Sequence, residues 1–244
     1  MGGGQIHVTP ALPAAVEMGP FLQCPGLPPR FTFALTLASL PVAAPKQSDF
    51  YARHDLVFRL APSRESAVAY TDGSEGSTLA ALELALQVAL LDHDGLLVHA
   101  AAGVSDGRGY LMPGPSGTGK STAARAAGFD TVLTDERVIL TVDETHSRLW
   151  STPFWSAGRS LPLSAQSAPL DTLVRLEHAA GFRQAPWAAD AALTYLMQSV
   201  ALYEGGPATL RAFDLAAAAV ASAHCVRVGF APTGPWPLRK RSAA

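Results

Sequence analysis

The clearest chemical pattern of the sequence is a glycine-rich segment near its middle. This segment fits the pattern G-x-x-x-x-G-K-[ST] of a phosphate-binding loop. Its residues are Gly114, Pro115, Ser116, Gly117, Thr118, Gly119, Lys120, Ser121 and Thr122. The three glycines allow the backbone to curl, so that successive N–H groups point at phosphate oxygens. Lys120 is then expected to reach the β- and γ-phosphates of ATP, and the Ser121 hydroxyl to bind Mg²⁺.

Two pairs of neighbouring carboxylates are candidates for the acidic part of such a site. A nucleotide site needs a carboxylate near Mg²⁺, and phosphoryl transfer to a hydroxyl also needs a base. Asp135 and Glu136 end an apolar strand that follows the loop helix, and the carboxyl ends of strands face the ligand crevice in α/β sheets. Asp143 and Glu144 are more typical of the polar tip of a hairpin. We therefore favour the first pair.

A histidine precedes the loop in an apolar segment. His99 stands fifteen residues before Gly114. A buried core histidine with satisfied ring nitrogens is one interpretation. In the other, two antiparallel strands fold its strand back towards the loop, where His99 approaches Asp135 and tunes the proton affinity of that carboxylate.

The hydrophobic pattern predicts the elements that position these residues. Residues 96–104 and 110–112 are predicted strands joined by a tight turn, so two antiparallel strands lead into the loop. In a simple doubly wound nucleotide-binding fold, a helix separates neighbouring parallel strands. Residues 122–127 are the predicted loop helix. Further strands are predicted at 131–136, 138–142, 149–152, 170–176 and 225–230, helices at 188–202 and 208–222, and a loop at 153–169.

The first third of the chain has a different character. Residues 1–90 are predicted to form a small β-rich N-terminal region, with strands at 31–37, 55–60 and 66–70. Ser77 is the predicted N-cap of a helix over 78–92, which is apolar on nearly all faces and is expected to be buried where the two parts join. Residues 91–235 are the predicted P-loop domain, and 236–244 a basic tail.

Composition limits the classes of partner. The 244 residues carry a formal net charge of −2, and without an extended basic run the sequence favours neither a nucleic-acid nor a membrane partner. Cys24 and Cys225 are too few for a disulfide framework or a zinc site. The longest apolar run, 79–91, includes Glu83 and falls short of the roughly 20 residues that span a bilayer. With no signal peptide in the pattern, the expected location is the cytoplasm.

The combination of His99-Ala100-Ala101, a short hairpin, the phosphate-binding loop and Thr134-Asp135-Glu136 resembles a known family. It is similar to the C-terminal kinase domain of HPr kinase/phosphorylase, and more narrowly to the HPr-kinase-related proteins of ribosomal peptide biosynthesis. These share a core with phosphoenolpyruvate carboxykinase, so the resemblance implies an α/β fold with a mixed sheet and flanking helices. It covers roughly residues 90–230.

The resemblance also implies roles for individual residues. One of Asp135 and Glu136 acts as the base on a serine hydroxyl, and the other lies near Mg²⁺. Ser121 and Glu136 are the expected residues beside the metal ion. Glu136 stands where a second aspartate is usual, which leaves the choice of base open. The segment 151–159 is similar to the Thr-Pro-Phe segment of the smaller relatives and replaces the glycine-rich signature of the bifunctional enzymes, so the resemblance does not imply phosphorylase activity. Arg159 in this segment is a candidate cation for the transferring phosphoryl group.

These observations predict an ATP- and Mg²⁺-dependent kinase that phosphorylates a hydroxyl, with serine of a peptide or small protein as the expected acceptor. The related HPr enzymes form oligomers, so a homo-oligomer is a further expectation. Two alternatives stay open. One is a nucleotide-binding regulatory module with slow ATP hydrolysis, and the other is a small-molecule kinase or carboxykinase-like enzyme.

Overall fold

The structure is a computed structural model, which describes residues 5–9, 32–39, 50–144, 146–152, 154, 166–203 and 205–231. The first part of the described chain contains β1 (Gln5–Thr9), β2 (Thr32–Ser39), β3 (Tyr51–Arg53), β4 (Leu56–Leu60), β5 (Ser66–Thr71) and α1 (Glu75–Leu91). The second part contains β6 (Gly95–Ser105), β7 (Arg108–Pro113), α2 (Lys120–Ala126), β8 (Thr131–Thr134), β9 (Arg137–Val142), β10 (Ser147–Trp150), β11 (Ser167–His178), β12 (Arg183–Pro186), α3 (Ala189–Met197), α4 (Pro207–Ser222) and β13 (His224–Phe230). The mixed α/β class expected from the sequence is confirmed, with two mixed sheets in the described residues.

The first sheet contains five strands in the order β1-β2-β5-β4-β3. β1, β2 and β5 run parallel, whereas β4 and β3 are antiparallel to their neighbours. Alternate residues of the strands face helix α1, so Phe33 and Leu35 of β2 and Leu56 and Phe58 of β4 share one core with it. The predicted strands in this region are confirmed, and β1 and β3 are further strands that were not predicted.

Helix α1 begins earlier than predicted. Its N-cap is Ser74, whose hydroxyl accepts a hydrogen bond from the backbone N–H of Ser77, so the assignment of Ser77 as the N-cap was wrong. The apolar pattern on all faces is explained by its position against both sheets. Val88 packs in the core of the first sheet, and Leu90 packs with Leu97 of the second sheet. Helix α1 therefore contributes to the cores of both sheets.

The second sheet follows the order β10-β9-β6-β7-β11-β13-β12, with β8 also paired to β6. Because β10 pairs with β11 as well as with β9, the strands β10, β9, β6, β7 and β11 form a closed ring. The predicted antiparallel hairpin before the loop is confirmed: β6 and β7 pair across Ser105 and Arg108. Asp106 and Gly107 between them have φ of 51° and 72°, as a two-residue hairpin turn requires.

Helices cover both faces of the parallel strands β7, β11 and β13. Leu173 of β11 packs with Leu196 of α3 and Leu215 of α4, whereas the next residue, Val174, packs with Ala123 of α2. This alternation follows from the two-residue period of a strand. None of the helices in the described ranges is long and apolar enough to cross a membrane.

Several predicted bounds differ from the structure. The helix predicted over 188–202 ends at Met197, and β11 begins at Ser167, inside the segment predicted as a loop. Of that segment, 153 and 155–165 lie outside the described residues, as does the basic tail 236–244. Strand β12, which contains Pro186, was not predicted; it pairs only with β13 at the edge of the sheet, where a residue without an N–H is tolerated.

Candidate functional site

The phosphate-binding loop connects β7 to α2, and its backbone requires glycine. Gly114, Gly117 and Gly119 have positive φ angles of 147°, 84° and 88°. A Cβ on Gly114 would lie 2.8 Å from the hydroxyl oxygen of Tyr195, and a Cβ on Gly119 would lie 2.6 Å from Cζ of Phe230. Positive φ and close neighbours together exclude a larger side chain at both positions. The crown of the loop between the first two glycines is exposed, as a ligand-binding turn must be.

Lys120 lies under this loop and is almost completely buried, with 6% of its surface exposed. Its Nζ donates hydrogen bonds to the carbonyl oxygens of Gly114 at 2.8 Å and Pro115 at 3.0 Å. Burial lowers the pKa of the Lys120 ammonium, while the carboxylates of Glu136 and Asp135 act in the opposite direction. The loop thus places a cation beneath the turn and close to the acidic pair. Ser121, half-buried, and Thr122, exposed, follow it in α2.

The acidic pair lies in the turn between β8 and β9 rather than at the end of a strand, because β8 ends at Thr134. Asp135 is buried, with 3% of its surface exposed, and Glu136 is half-buried. The turn is fixed by two backbone contacts of Glu136. Its N–H donates to the Thr134 hydroxyl at 3.3 Å, and its carbonyl accepts from the N–H of Ala100 at 3.2 Å.

His99 contacts Glu136, whereas Asp135 was its expected partner. The His99 Nε2 lies 3.4 Å from Glu136 Oε1, and no hydrogen bond with good alignment is formed at that buried nitrogen in the described part of the chain. The contact is therefore a close approach of the imidazole to the carboxylate. The main chain of His99 is held on both sides, since its carbonyl accepts from the N–H of Gly114 and its N–H donates to Ser199. The strand that carries His99 is thus bonded directly to the start of the loop.

The surroundings of Glu136 make its carboxylate a weak base. The imidazole of His99 is the largest influence and lowers the pKa of Glu136, while burial acts in the opposite direction. Arg137 and Lys120 add smaller effects that also favour the ionised form. A carboxylate whose pKa is lowered in this way stays ionised, and the ionised form is the one that can bind a metal ion.

The sequence analysis missed two charged residues at this site. Arg137 donates from Nη1 to Glu136 Oε1 at 3.2 Å, and from Nε to Glu83 Oε2 at 3.3 Å. Arg137 could have been found, because it directly follows the acidic pair. Glu83 carried no such signal, since it lies in an apolar helix 54 residues earlier in the chain.

The other candidates lie away from this cluster or outside the described residues. Asp143 and Glu144 are at the exposed tip of the β9–β10 hairpin, where the backbone N–H of Asp143 donates to the carbonyl of His146. This is the position that the hairpin interpretation predicts for them. Arg159 lies outside the described residues. A surface cavity of about 650 Å³ lies along β12 and β13, lined in part by Arg183 and His224. The described residues that line it include no acidic side chain, in contrast to the loop site.

Few metal-binding side chains lie together in the described part of the chain. In the ranges that the structure describes, no three His, Cys, Asp or Glu side chains come together as a metal site. Mg²⁺ is commonly held by one or two protein oxygens together with substrate phosphates and water. Ser121 and Glu136 could supply such oxygens beside the loop. These residues are compatible with an Mg²⁺ ion that nucleotide phosphates also bind.

Comparison of the sequence with models of protein families found no match, and no curated protein matches it. The interpretation of the site therefore rests on its own residues and geometry.

Proposed function

We propose that this chain is an ATP- and Mg²⁺-dependent kinase that transfers the γ-phosphate to a hydroxyl, with serine of a peptide or small protein as the acceptor. The observation that carries the proposal is the position of Lys120, which lies under the phosphate-binding loop and close enough to Asp135 and Glu136 for both to influence its pKa. In the proposed reaction, Lys120 would be the cation for the phosphates, and the acidic pair would provide an oxygen ligand for Mg²⁺ and a carboxylate base. Phosphoryl transfer depends mainly on such positioning and electrostatic stabilisation.

In the proposed reaction, the hydroxyl oxygen of the acceptor attacks the γ-phosphorus of ATP. A P–O bond to the acceptor forms, and the bond to the β–γ bridging oxygen breaks, so that ADP leaves with the electron pair. The hydroxyl proton passes to a carboxylate of the protein. Lys120 would give up its contacts with the two loop carbonyls and bind phosphate oxygens. Ser121 and Glu136 would hold Mg²⁺, which when bound supplies positive charge at the phosphates.

Asp135 is the better candidate for the base. The Oε1 atom of Glu136 is engaged by His99 and Arg137, and the lowered pKa of Glu136 makes it a poor proton acceptor. Asp135 is the neighbouring carboxylate and is buried beside the loop. A base works best when its pKa is close to the working pH, which disfavours a carboxylate held ionised by several cations. We therefore assign the proton to Asp135 and the metal ion to Glu136.

The test is transfer of labelled γ-phosphate from ATP into extracts of the source organism, resolved by mass. Wild type should label a serine-containing species. Lys120→Ala should bind ATP weakly and give no label. Asp135→Asn should retain ATP binding and lose about 10²-fold or more in transfer rate, because only the proton acceptor is removed. The matched control is Asp143→Asn, since the same change at the hairpin tip should leave the rate unaltered.

Two results would reject parts of this proposal. Transfer by Asp135→Asn at the wild-type rate would exclude Asp135 as the base. Absence of ATP binding by wild type, measured by calorimetry with Mg²⁺, would exclude a nucleotide-dependent function altogether. Label in small metabolites instead of peptides would identify a small-molecule kinase.

A second candidate function is a nucleotide-binding regulatory module. One contact favours this function, because it connects the acidic turn to the core between the first sheet and α1. The Thr134 hydroxyl donates a hydrogen bond to the carbonyl oxygen of Phe154, and the Phe154 ring is buried in that core. A nucleotide bound beside the acidic turn could thereby influence the N-terminal region. A module of this kind would hydrolyse ATP slowly and no faster when an acceptor is added, whereas the kinase requires the acceptor.

A further inference from the structure

Helix α1 presents a carboxylate that the proposed reaction does not use. The Glu83 side chain is 18% exposed, hence half-buried, and lies in the mainly apolar part of the helix between Leu79 and Leu91. Burial raises the pKa of Glu83, and Arg137 acts in the opposite direction. Removing a carboxylate from water is unfavourable unless a specific partner compensates it, and such pairs are weak evidence for stability alone. The residue that Glu83 pairs with is therefore a guide to its functional role.

Arg137 is that partner, and it bridges α1 to the acidic turn. Its Nε contacts Glu83 at 3.3 Å, while its Nη1 contacts both the side chain and the carbonyl oxygen of Glu136, at 3.2 and 3.3 Å. Its backbone is fixed as well, because Arg137 belongs to β9 and its carbonyl accepts from the Thr152 hydroxyl. Two carboxylates from distant parts of the chain thus hold one guanidinium group.

His99 completes this arrangement from the neighbouring strand. In the antiparallel pairing of β6 and β9, His99 lies directly opposite Arg137. Both residues make their recorded contact with the same atom, Oε1 of Glu136, and within the described residues Oε2 accepts no hydrogen bond. Among these residues the carboxylate is held through Oε1, and Oε2 is the oxygen that a ligand could take.

Glu83 decides how Arg137 can bind this carboxylate. A guanidinium prefers to bind a carboxylate through two parallel hydrogen bonds. While its Nε is engaged by Glu83, Arg137 contacts the Glu136 carboxylate through Nη1 alone. Without Glu83, Arg137 is free to rotate and bind both oxygens of Glu136, which would compete with a metal ion for Oε2.

We propose that Glu83 is a positioning residue for phosphoryl transfer: it holds Arg137 so that one oxygen of Glu136 stays available to Mg²⁺. This proposal rests on the proposed kinase function. It gives the N-terminal region a role at the site, because Glu83 lies on the helix whose apolar faces pack against both sheets.

The experiment compares Glu83→Gln with wild type in ATP hydrolysis and γ-phosphate transfer over a range of Mg²⁺ concentrations. Changes around metal ligands commonly alter affinity or activity by about 10- to 100-fold, so the Mg²⁺ concentration for half-maximal turnover should rise about tenfold. Binding of ATP without Mg²⁺, measured by calorimetry, should stay unchanged. The matched control is Glu65→Gln, which alters an exposed carboxylate in the turn before β5.

A second set of variants, made in protein that already carries Arg137→Met, distinguishes a positioning role of Glu83 from general destabilisation of the fold. Arg137→Met removes the residue through which Glu83 acts, so Glu83→Gln should then have no further effect on the Mg²⁺ dependence. The Nε–H proton of Arg137, followed by NMR, should exchange with water faster in Glu83→Gln than in wild type. This readout does not depend on turnover.

The outcomes distinguish the two proposals. An active wild type with an unchanged Mg²⁺ dependence in Glu83→Gln would overturn the positioning role and leave the kinase proposal intact. The positioning role would also be overturned if Glu83→Gln raised the required Mg²⁺ concentration equally in the wild-type and Arg137→Met backgrounds. Glu83 would then act independently of Arg137. A wild type that neither binds ATP nor turns it over would overturn the kinase function, and the role of Glu83 in it.

Discussion

Replacement of Gly119 by alanine should destabilise the protein for two separable reasons. Gly119 has a φ of 88°, and a left-handed backbone costs about 1–2 kcal/mol for a residue with a Cβ. Its Cβ would also lie 2.6 Å from Cζ of the buried Phe230, and overpacking of this kind costs about 1–3 kcal/mol. The free energy of unfolding should therefore fall by about 2–5 kcal/mol, measured by urea denaturation.

Gly117→Ala is the matched control for this prediction. Gly117 has nearly the same φ, 84°, but a Cβ there would meet nothing within 4 Å. Its replacement should cost only the backbone contribution, about 1–2 kcal/mol. Gly119→Ala should lower the free energy of unfolding by more than Gly117→Ala does. This difference should become smaller when Phe230 is replaced by leucine, since a Cβ at position 119 would lie against the Phe230 ring. Equal losses in Gly117→Ala and Gly119→Ala would refute the argument that Phe230 excludes a side chain at position 119.

Two further predictions concern α1 and its core. Asp72 accepts hydrogen bonds from the Ser77 hydroxyl and the Ser74 N–H, which lower its pKa from 3.8 to about 2. Because the pKa is lower in the folded state, this carboxylate stabilises the fold above pH 3.8, and that contribution is lost as the pH falls towards 2. Asp72→Asn should therefore flatten the acid side of the stability curve in thermal unfolding, and an unaltered slope would contradict the assignment. Phe58→Ala should lower the free energy of unfolding by about 3–5 kcal/mol, because Phe58 is fully buried. Since α1 serves both cores, circular dichroism and tryptophan fluorescence should report one transition, and two separate transitions would show that the sheets unfold independently.

Local patterns in the sequence predicted the frame of the site well. The hairpin before the loop follows from Asp106 and Gly107 between two apolar runs, since this dipeptide favours the positive φ angles of a tight turn. The order of strand, loop and helix around Lys120 follows from the motif and its flanking residues. These features were predictable because each depends on residues close together in the chain.

The N-cap of α1 and strand β12 were not predicted correctly, because each depends on the surroundings of the residue as well as on its type. Ser74 and Ser77 are both suitable N-caps, and the structure uses Ser74 because the Ser77 side chain is buried and donates to Asp72. Strand β12 escaped prediction because proline is unfavourable inside a sheet, and only its edge position makes Pro186 acceptable.

The sequence by itself determined the chemical types at the candidate site: a glycine-rich turn, Lys120 and an acidic pair, all set by short-range spacing. Only the tertiary structure decided how these groups are paired. The antiparallel register of β6 and β9 places His99 opposite Arg137 and against Glu136, and the packing of α1 brings Glu83 to the same arginine. Spacing along the chain does not contain this information, because ion pairs across strands and between a helix and a sheet depend on how the cores pack. Local sequence therefore indicated the loop, the acidic pair and His99, whereas long-range packing added Arg137 and Glu83 and decided which of these residues contact one another.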